Sequence, residues 1–145
     1  MRITIIGAGN GGQAMAGHFA MLGHDVKLYN RNLKNIKPIL TTKEIALSDK
    51  ITGVGKVKLV TDQLGIAISG ADLIMITTVA TAHKELAAKM ATYLEDGQTV
   101  VLNPGRTYGA LEFYDEIRRK TNKQIYIGEA QSLIYACRAD TPGNV

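Results

Sequence analysis

The residues that most constrain this chain are the first dozen and a half. Ile3-Thr4-Ile5-Ile6 runs into Gly7-Ala8-Gly9-Asn10-Gly11-Gly12 and then into Gln13-Ala14-Met15-Ala16. Met1 to Ile6 reads as a strand and Gln13 to Leu22 as a helix, so the glycines occupy the turn between them. Gly7, Gly9 and Gly12 fit the spacing G-x-G-x-x-G, and each has a separate task in a turn that holds a dinucleotide. Gly7 permits the tight turn, Gly9 lets the backbone approach a pyrophosphate, and Gly12 lets the helix lie close to the strand. The unpaired N–H groups and the positive end of the helix favour an anion there, which brings Ala8, Asn10 and Gly11 into the same expected cofactor site.

The alternation continues. Met15, Phe19 and Leu22 fall at helical spacing and are expected to face a sheet, Gly23 closes that helix, and Val26 to Tyr29 reads as a second strand. Leu33 to Leu40 reads as a short helix stopped or bent by Pro38. Ile45 to Leu47 and Val57 to Val60 are short strand candidates, with Gly53 and Gly55 as turn residues, so a hairpin or excursion is expected in that region. Thr61 or Asp62 is placed to cap a helix that runs through Ile68. Asp72 to Thr78 reads as a strand buried on both faces, followed by a helix from His83 to Leu94 with Leu86, Ala87, Met90 and Leu94 on one side. Thr99 to Leu102, a helix from Ala110 to Lys120, Ile125 to Ile127 and a further strand candidate at Leu133 to Ala136 complete the chain. This order predicts an α/β fold, a Rossmann-type, doubly wound and mostly parallel sheet, in a single domain over residues 1–145.

Ligands of such sheets bind beyond the carboxyl ends of the strands, so the loops there are the candidate site. About 20 residues beyond the glycines, where an acid would accept hydrogen bonds from a free ribose 2′-hydroxyl, the chain has Asn30-Arg31-Asn32. An arginine pairs bidentately with a 2′-phosphate, so Asn30 and Arg31 incline the expected cofactor to NADP rather than NAD. Thr78 and Val79 are expected beneath the cofactor's ribose or nicotinamide, with Val79 as an apolar contact. His83, in a first helical turn, is placed either to hydrogen-bond a ligand or simply to face water. Asn103-Pro104-Gly105 forms a stiff loop whose amides suit a carboxylate or a carboxamide. Arg106 and Glu129 are either ligand-facing or ordinary loop residues. No histidine–acid pair stands beside these loops, His18 and His24 being expected at the wrong end of the sheet or on the outer surface.

Composition narrows the class. In 145 residues, 46% are hydrophobic and 21% charged, ordinary for a globular protein, and the net charge of +4 is too small to require a polyanionic partner. The lysines and arginines between Arg31 and Lys58 lack interleaved aromatics, which argues against nucleic acid. No apolar run approaches the roughly 20 residues that cross a bilayer, and the start has no signal-peptide pattern, so a cytoplasmic setting is expected. The single Cys137 has no partner for a disulfide and no cluster for a metal, and is expected as a small buried residue.

Several stretches together resemble the cofactor domain of the opine dehydrogenases. They are Gly7-Ala8-Gly9-Asn10-Gly11-Gly12, Asp72-Leu73-Ile74-Met75 with Ala80-Thr81-Ala82-His83, Leu102-Asn103-Pro104-Gly105-Arg106-Thr107-Tyr108-Gly109-Ala110-Leu111-Glu112-Phe113, and Gly128-Glu129-Ala130-Gln131-Ser132-Leu133 with Cys137-Arg138. The resemblance implies reduction, with NADH or NADPH, of the imine formed between an amino acid and a 2-oxo acid. It also implies a second, helical domain that supplies the catalytic histidine and much of the substrate site. That domain is absent from these 145 residues, so cofactor positions are carried over and no catalytic residue is assigned. The alternatives are the cofactor domain of a hydroxy-acid or glycerol-phosphate dehydrogenase, and a non-catalytic dinucleotide-sensing module. Apolar surface that a partner domain would cover makes self-association a further expectation.

Overall fold

In the computed structural model, which describes residues 1–145, the opening apolar run is strand β1 (Arg2–Ile6) and the residues after the glycine turn are helix α1 (Asn10–Met21). The first half continues with β2 (Asp25–Tyr29), α2 (Lys37–Thr42), β3 (Glu44–Leu47), β4 (Gly53–Lys56), β5 (Leu59–Thr61) and α3 (Leu64–Ile68). The second half has β6 (Leu73–Ile76), α4 (His83–Met90), β7 (Thr99–Leu102), α5 (Gly109–Arg118) and β8 (Tyr126–Glu129). Six strands form one sheet in the order β5-β2-β1-β6-β7-β8, every neighbouring pair parallel.

β1 is central because its side chains are buried on both faces. Ile5 pairs in register with Leu28 on one side and Met75 on the other. Ile3 and Ile5 join Met15, Leu28, Ile39 and Ile45 in a core beneath α1 and α2, whereas Ile6 joins Ile74, Ile76, Met90, Phe113 and Ile117 beneath α3, α4 and α5. Each such side chain removed from water contributes about 1.5–3 kcal/mol, so two filled faces hold the sheet between its helices. Thr4, buried among them, is satisfied by donating its hydroxyl to the Ala67 carbonyl at 2.6 Å.

The chain leaves β1 towards β2 and leaves β6 towards β7, so the crossovers diverge between the adjacent strands β1 and β6. That divergence opens a crevice at their carboxyl ends.

β3 and β4 form a hairpin, as a separate antiparallel pair laid on the outside of α1; its second strand is not the candidate Val57 to Val60, whose end instead joins β5 of the main sheet. Gly53 and Gly55 lie inside β4 and are not turn residues; a Cβ on Gly55 would stand 2.0 Å from the Gly17 carbonyl oxygen, so backbone meets backbone there. Sandwiched in this way, α1 buries the continuous run Gly12 to Gly17. The last residues return alongside β3: Ala46 N–H donates to Gly143 O at 2.7 Å and Ser48 N–H to Val145 O at 2.9 Å.

Other boundaries differ from expectation for local reasons. Pro38 starts α2 where it was expected to stop a helix, because a fixed φ and a missing N–H suit a first turn; a 3-10 turn, Leu33–Ile36, precedes it. Leu22 lies past the end of α1 and is exposed, while Met15 is buried and Phe19 half-buried. α4 stops at Met90, so Leu94 reaches the core from the segment beyond it. Leu133 to Ala136 forms no strand, and Cys137, expected inside, is half-exposed.

Candidate functional site

The crevice between β1 and β6 is a cleft of about 350 Å³. One wall is the glycine turn, Gly7 to Gly9; the second is the end of β2, with Asn30 and Arg31; the third is Thr78 and Val79 after β6; and the last is one face of α4, with Glu85, Leu86 and Lys89.

Three glycines shape the turn in three ways. Gly7 has φ +107°, a region that L side chains rarely adopt. Gly12 lies so close to β1 that a Cβ there would stand 1.9 Å from the Gly7 carbonyl oxygen and 2.7 Å from Thr77 Oγ1. Thr77 pins the same oxygen, donating its hydroxyl to Gly7 O at 2.9 Å. Gly9 is different: its φ is −70°, and a Cβ there would meet nothing within 4 Å. No internal packing accounts for a glycine at that position, so the space beside it is open to a ligand. It adjoins the start of α1, which has no capping side chain and no acid in its first turn, leaving the first N–H groups without intrahelical acceptors.

Two side chains not recognised as braces in the sequence hold the turn. Asn30 Oδ1 accepts from Ala8 N at 3.2 Å while its Nδ2 donates to Asn32 O at 2.8 Å. Gln13, buried in α1, donates from Nε2 to Ala8 O at 2.8 Å, and its Oε1 accepts from Gly143 N at 2.9 Å. Ala8 is thereby clamped from both sides. Asn32 caps the following 3-10 turn by accepting from Lys34 N at 3.0 Å. Of the triplet after β2, Arg31 is the residue whose exposed side chain borders the cleft as a charge.

Glu85 and Lys89, one turn apart on α4, form an ion pair at 2.5 Å. The Lys89 ammonium, by its hydrogen bond and then its charge, holds the Glu85 carboxyl below the usual carboxylate range, with a smaller contribution from Arg31. In the sequence both look like an ordinary solvated helix pair, and their only signal is the spacing from Ala82 that puts all three on one face. Thr78 Oγ1, at the cleft, is buried without a hydrogen-bond partner. An open N-terminus, an unneeded glycine and an orphaned hydroxyl around one cleft fit a phosphate-bearing ligand.

The remaining expected residues lie elsewhere along the same edge of the sheet. His83 is 2% exposed, neither facing water nor lining the cleft; Nε2 is 3.2 Å from Thr78 O, and the ring meets Phe113 edge-on at 6.3 Å. Asn103 is 1% exposed, donates from Nδ2 to Val101 O at 3.0 Å, and leaves Oδ1 unpaired; the peptide bond to Pro104 is cis. Gly105 N–H donates to Ala130 O at 3.2 Å, and a Cβ there would stand 2.3 Å from Glu129 Cβ. Glu129 accepts from Ala110 N at 2.7 Å, so it caps α5 in the manner of a loop acid. With Arg106 it borders a second, open pocket. His18 is half-buried, with Nδ1 2.9 Å from the Tyr135 hydroxyl, and burial pushes the nearby Cys137 thiol up, which disfavours its thiolate.

The chain matches the family described as the N-terminus of NAD-dependent glycerol-3-phosphate dehydrogenase over residues 2–124. Opine dehydrogenase of Arthrobacter sp. (strain 1C) is 37% identical to it over 143 residues, which are 98% of this chain and 40% of that protein. The chain therefore spans about two-fifths of the length of that relative. Its fold superposes on octopine dehydrogenase in complex with NADH and agmatine with a TM-score of 0.83 at 24% identity, covering 98% of this chain and 38% of that one. Yersinopine dehydrogenase with NADP+ bound gives a TM-score of 0.70 at 14% identity over 88% of this chain and 34% of that one.

Proposed function

The chain belongs to the family of NAD-dependent glycerol-3-phosphate dehydrogenase N-termini, and on that premise we propose that its cleft holds the dinucleotide of an opine-dehydrogenase-like oxidoreductase. The observation that carries the reading is Gly9, a glycine its own fold does not need, beside the uncapped start of α1. The first N–H groups of α1, from Asn10, Gly11 and Gly12, hold the pyrophosphate. Val79 and Leu86 supply apolar wall, and Thr78 offers its unpaired hydroxyl. Arg31 takes a ribose 2′-phosphate, which inclines the site to NADP. His83 and the Asn103-Pro104-Gly105 loop act from behind, shaping the edge of the sheet on which the cofactor lies. When bound, the dinucleotide supplies hydride.

The reaction proposed is reductive condensation of an amino acid with a 2-oxo acid, completed by residues outside these 145, in the reducing cytoplasm. The resemblance along the Asn103 loop and the 37% identity to an opine dehydrogenase support it. The family match supports a second reading, oxidation of a glycerol phosphate. Assaying the protein that carries this domain with pyruvate plus amino acids, against glycerol 3-phosphate, separates the two.

Calorimetric titration of the chain with NADH and NADPH tests the shared premise. Binding of at least one at micromolar to millimolar strength is expected, and no heat at millimolar ligand overturns it. Arg31→Ala is expected to weaken NADPH several-fold more than NADH; equal losses would show that Arg31 does not meet the 2′-phosphate.

A further inference from the structure

We propose that Glu85 of α4 is the acidic counterweight that sets how strongly this cleft prefers a ribose 2′-phosphate over a free 2′-hydroxyl, opposing Arg31 from the facing wall. This rests on the dinucleotide reading above.

The acid that reads a ribose is expected at the end of the second strand. Here each residue of that corner is otherwise engaged. Asn30 braces Ala8, Asn32 caps a 3-10 turn, and Arg31 is a cation. Only three charged residues border the cleft: Arg31, Glu85 and Lys89. The single negative charge therefore comes from α4, across the opening from the strand that ordinarily supplies it.

Lys89 pairs with that charge. Its ammonium lies 2.5 Å from the Glu85 carboxylate on the next turn of the same helix and favours the ionised form. Arg31 lines the same cleft, and its guanidinium adds a small further lowering of the same carboxyl. A 2′-phosphate entering between them gains from Arg31 and Lys89 and is repelled by Glu85. A free 2′-hydroxyl meets no such repulsion and can donate to the carboxylate. The side chains of Glu85 and Lys89 are more than half exposed, so water and salt screen these effects to several-fold rather than thousand-fold changes.

An ordinary surface pair of this kind would affect only helix stability. The deciding measurement is thus a ratio. The dissociation constants of NADH and NADPH are measured by nucleotide fluorescence in the wild type, Glu85→Gln, Glu85→Asp and Lys89→Met, at low and high salt. Glu85→Gln is expected to move the ratio about five- to tenfold towards NADPH, Lys89→Met to move it the other way, Glu85→Asp to leave it near the wild-type value, and salt to shrink the differences. A ratio within about twofold of wild type in Glu85→Gln, or equal weakening of both dinucleotides, overturns the proposal while leaving the cleft a dinucleotide site. Failure of the wild type to bind either dinucleotide instead overturns the reading of the cleft, and this proposal with it.

Discussion

The carbonyl oxygen of Gly7 lies 1.9 Å from the position a Cβ would take on Gly12, so the end of β1 and the first turn of α1 touch through backbone alone. Gly7 itself turns at φ +107° to aim that oxygen. The fold's central strand and first helix are thus joined at one contact that no side chain can enter.

Gly12→Ala is therefore a stability variant. The methyl group must push α1 off the sheet or rotate the Gly7 peptide, at about 1–3 kcal/mol or more, as for other overpacked sites. A urea unfolding series should show a lower midpoint with unchanged slope. An unshifted midpoint would mean that the turn relaxes without cost.

Gly9→Ala should do the opposite. With φ −70° and no atom within 4 Å of the new methyl, the unfolding midpoint should stay with the wild type. Affinity for both dinucleotides should fall about tenfold or more, because the methyl occupies ligand space. If binding is retained as well, the glycine turn is not where the phosphates sit.

Asn30→Ala removes a brace of the turn at the wall of the cleft. Ala8 N–H loses its acceptor and Asn32 O its donor, a loss on the order of 1 kcal/mol per hydrogen bond. NADH and NADPH should weaken by the same factor, in contrast to Arg31→Ala. Selective loss of NADPH would move Asn30 from bracing to reading the ribose.

Acid stability should depend on Asp72, far from the cleft at the amino end of β6. The Arg2 guanidinium, hydrogen-bonded to it at 2.5 Å, and then the Arg2 N–H lower its pKa from 3.8 to about 2. The folded state thus favours the carboxylate. The stabilisation is complete above the unfolded value near 3.8 and is lost as pH falls through about 2. The pair is exposed, so the effect is small. Unfolding midpoints of Asp72→Asn should fall less steeply than wild type across that interval; superimposable slopes would remove the pair from the account.

Much of the fold was legible because its signals are local. The apolar runs at Ile3 to Ile6, Leu73 to Ile76 and Thr99 to Leu102 are short and bounded by breakers, and buried parallel strands need no alternation. The glycine spacing placed the turn. Boundaries failed where a residue's meaning depends on a neighbour remote in sequence. Gly55 reads as a turn residue until Gly17 is seen pressed against it. Leu133 to Ala136 has strand-like residues but no strand partner, and Pro38 begins the helix it was expected to end. In the site, His83 reads either as a ligand-facing donor or as a helix-start residue in water, yet Phe113, 30 positions later, packs edge-on against its buried ring.

By itself, the sequence determined the parallel α/β sheet and the turn that opens its crevice, because hydrophobic period and glycine spacing act over a few residues. Only the tertiary structure decided which side chains meet at that crevice. It turned Asn30 inward as a brace, left Arg31 at the mouth, and brought Glu85 and Lys89 from a helix more than 50 residues away to face it. Those outcomes depend on the order of strands in the sheet, which sets which loops become neighbours and which no local stretch of residues encodes.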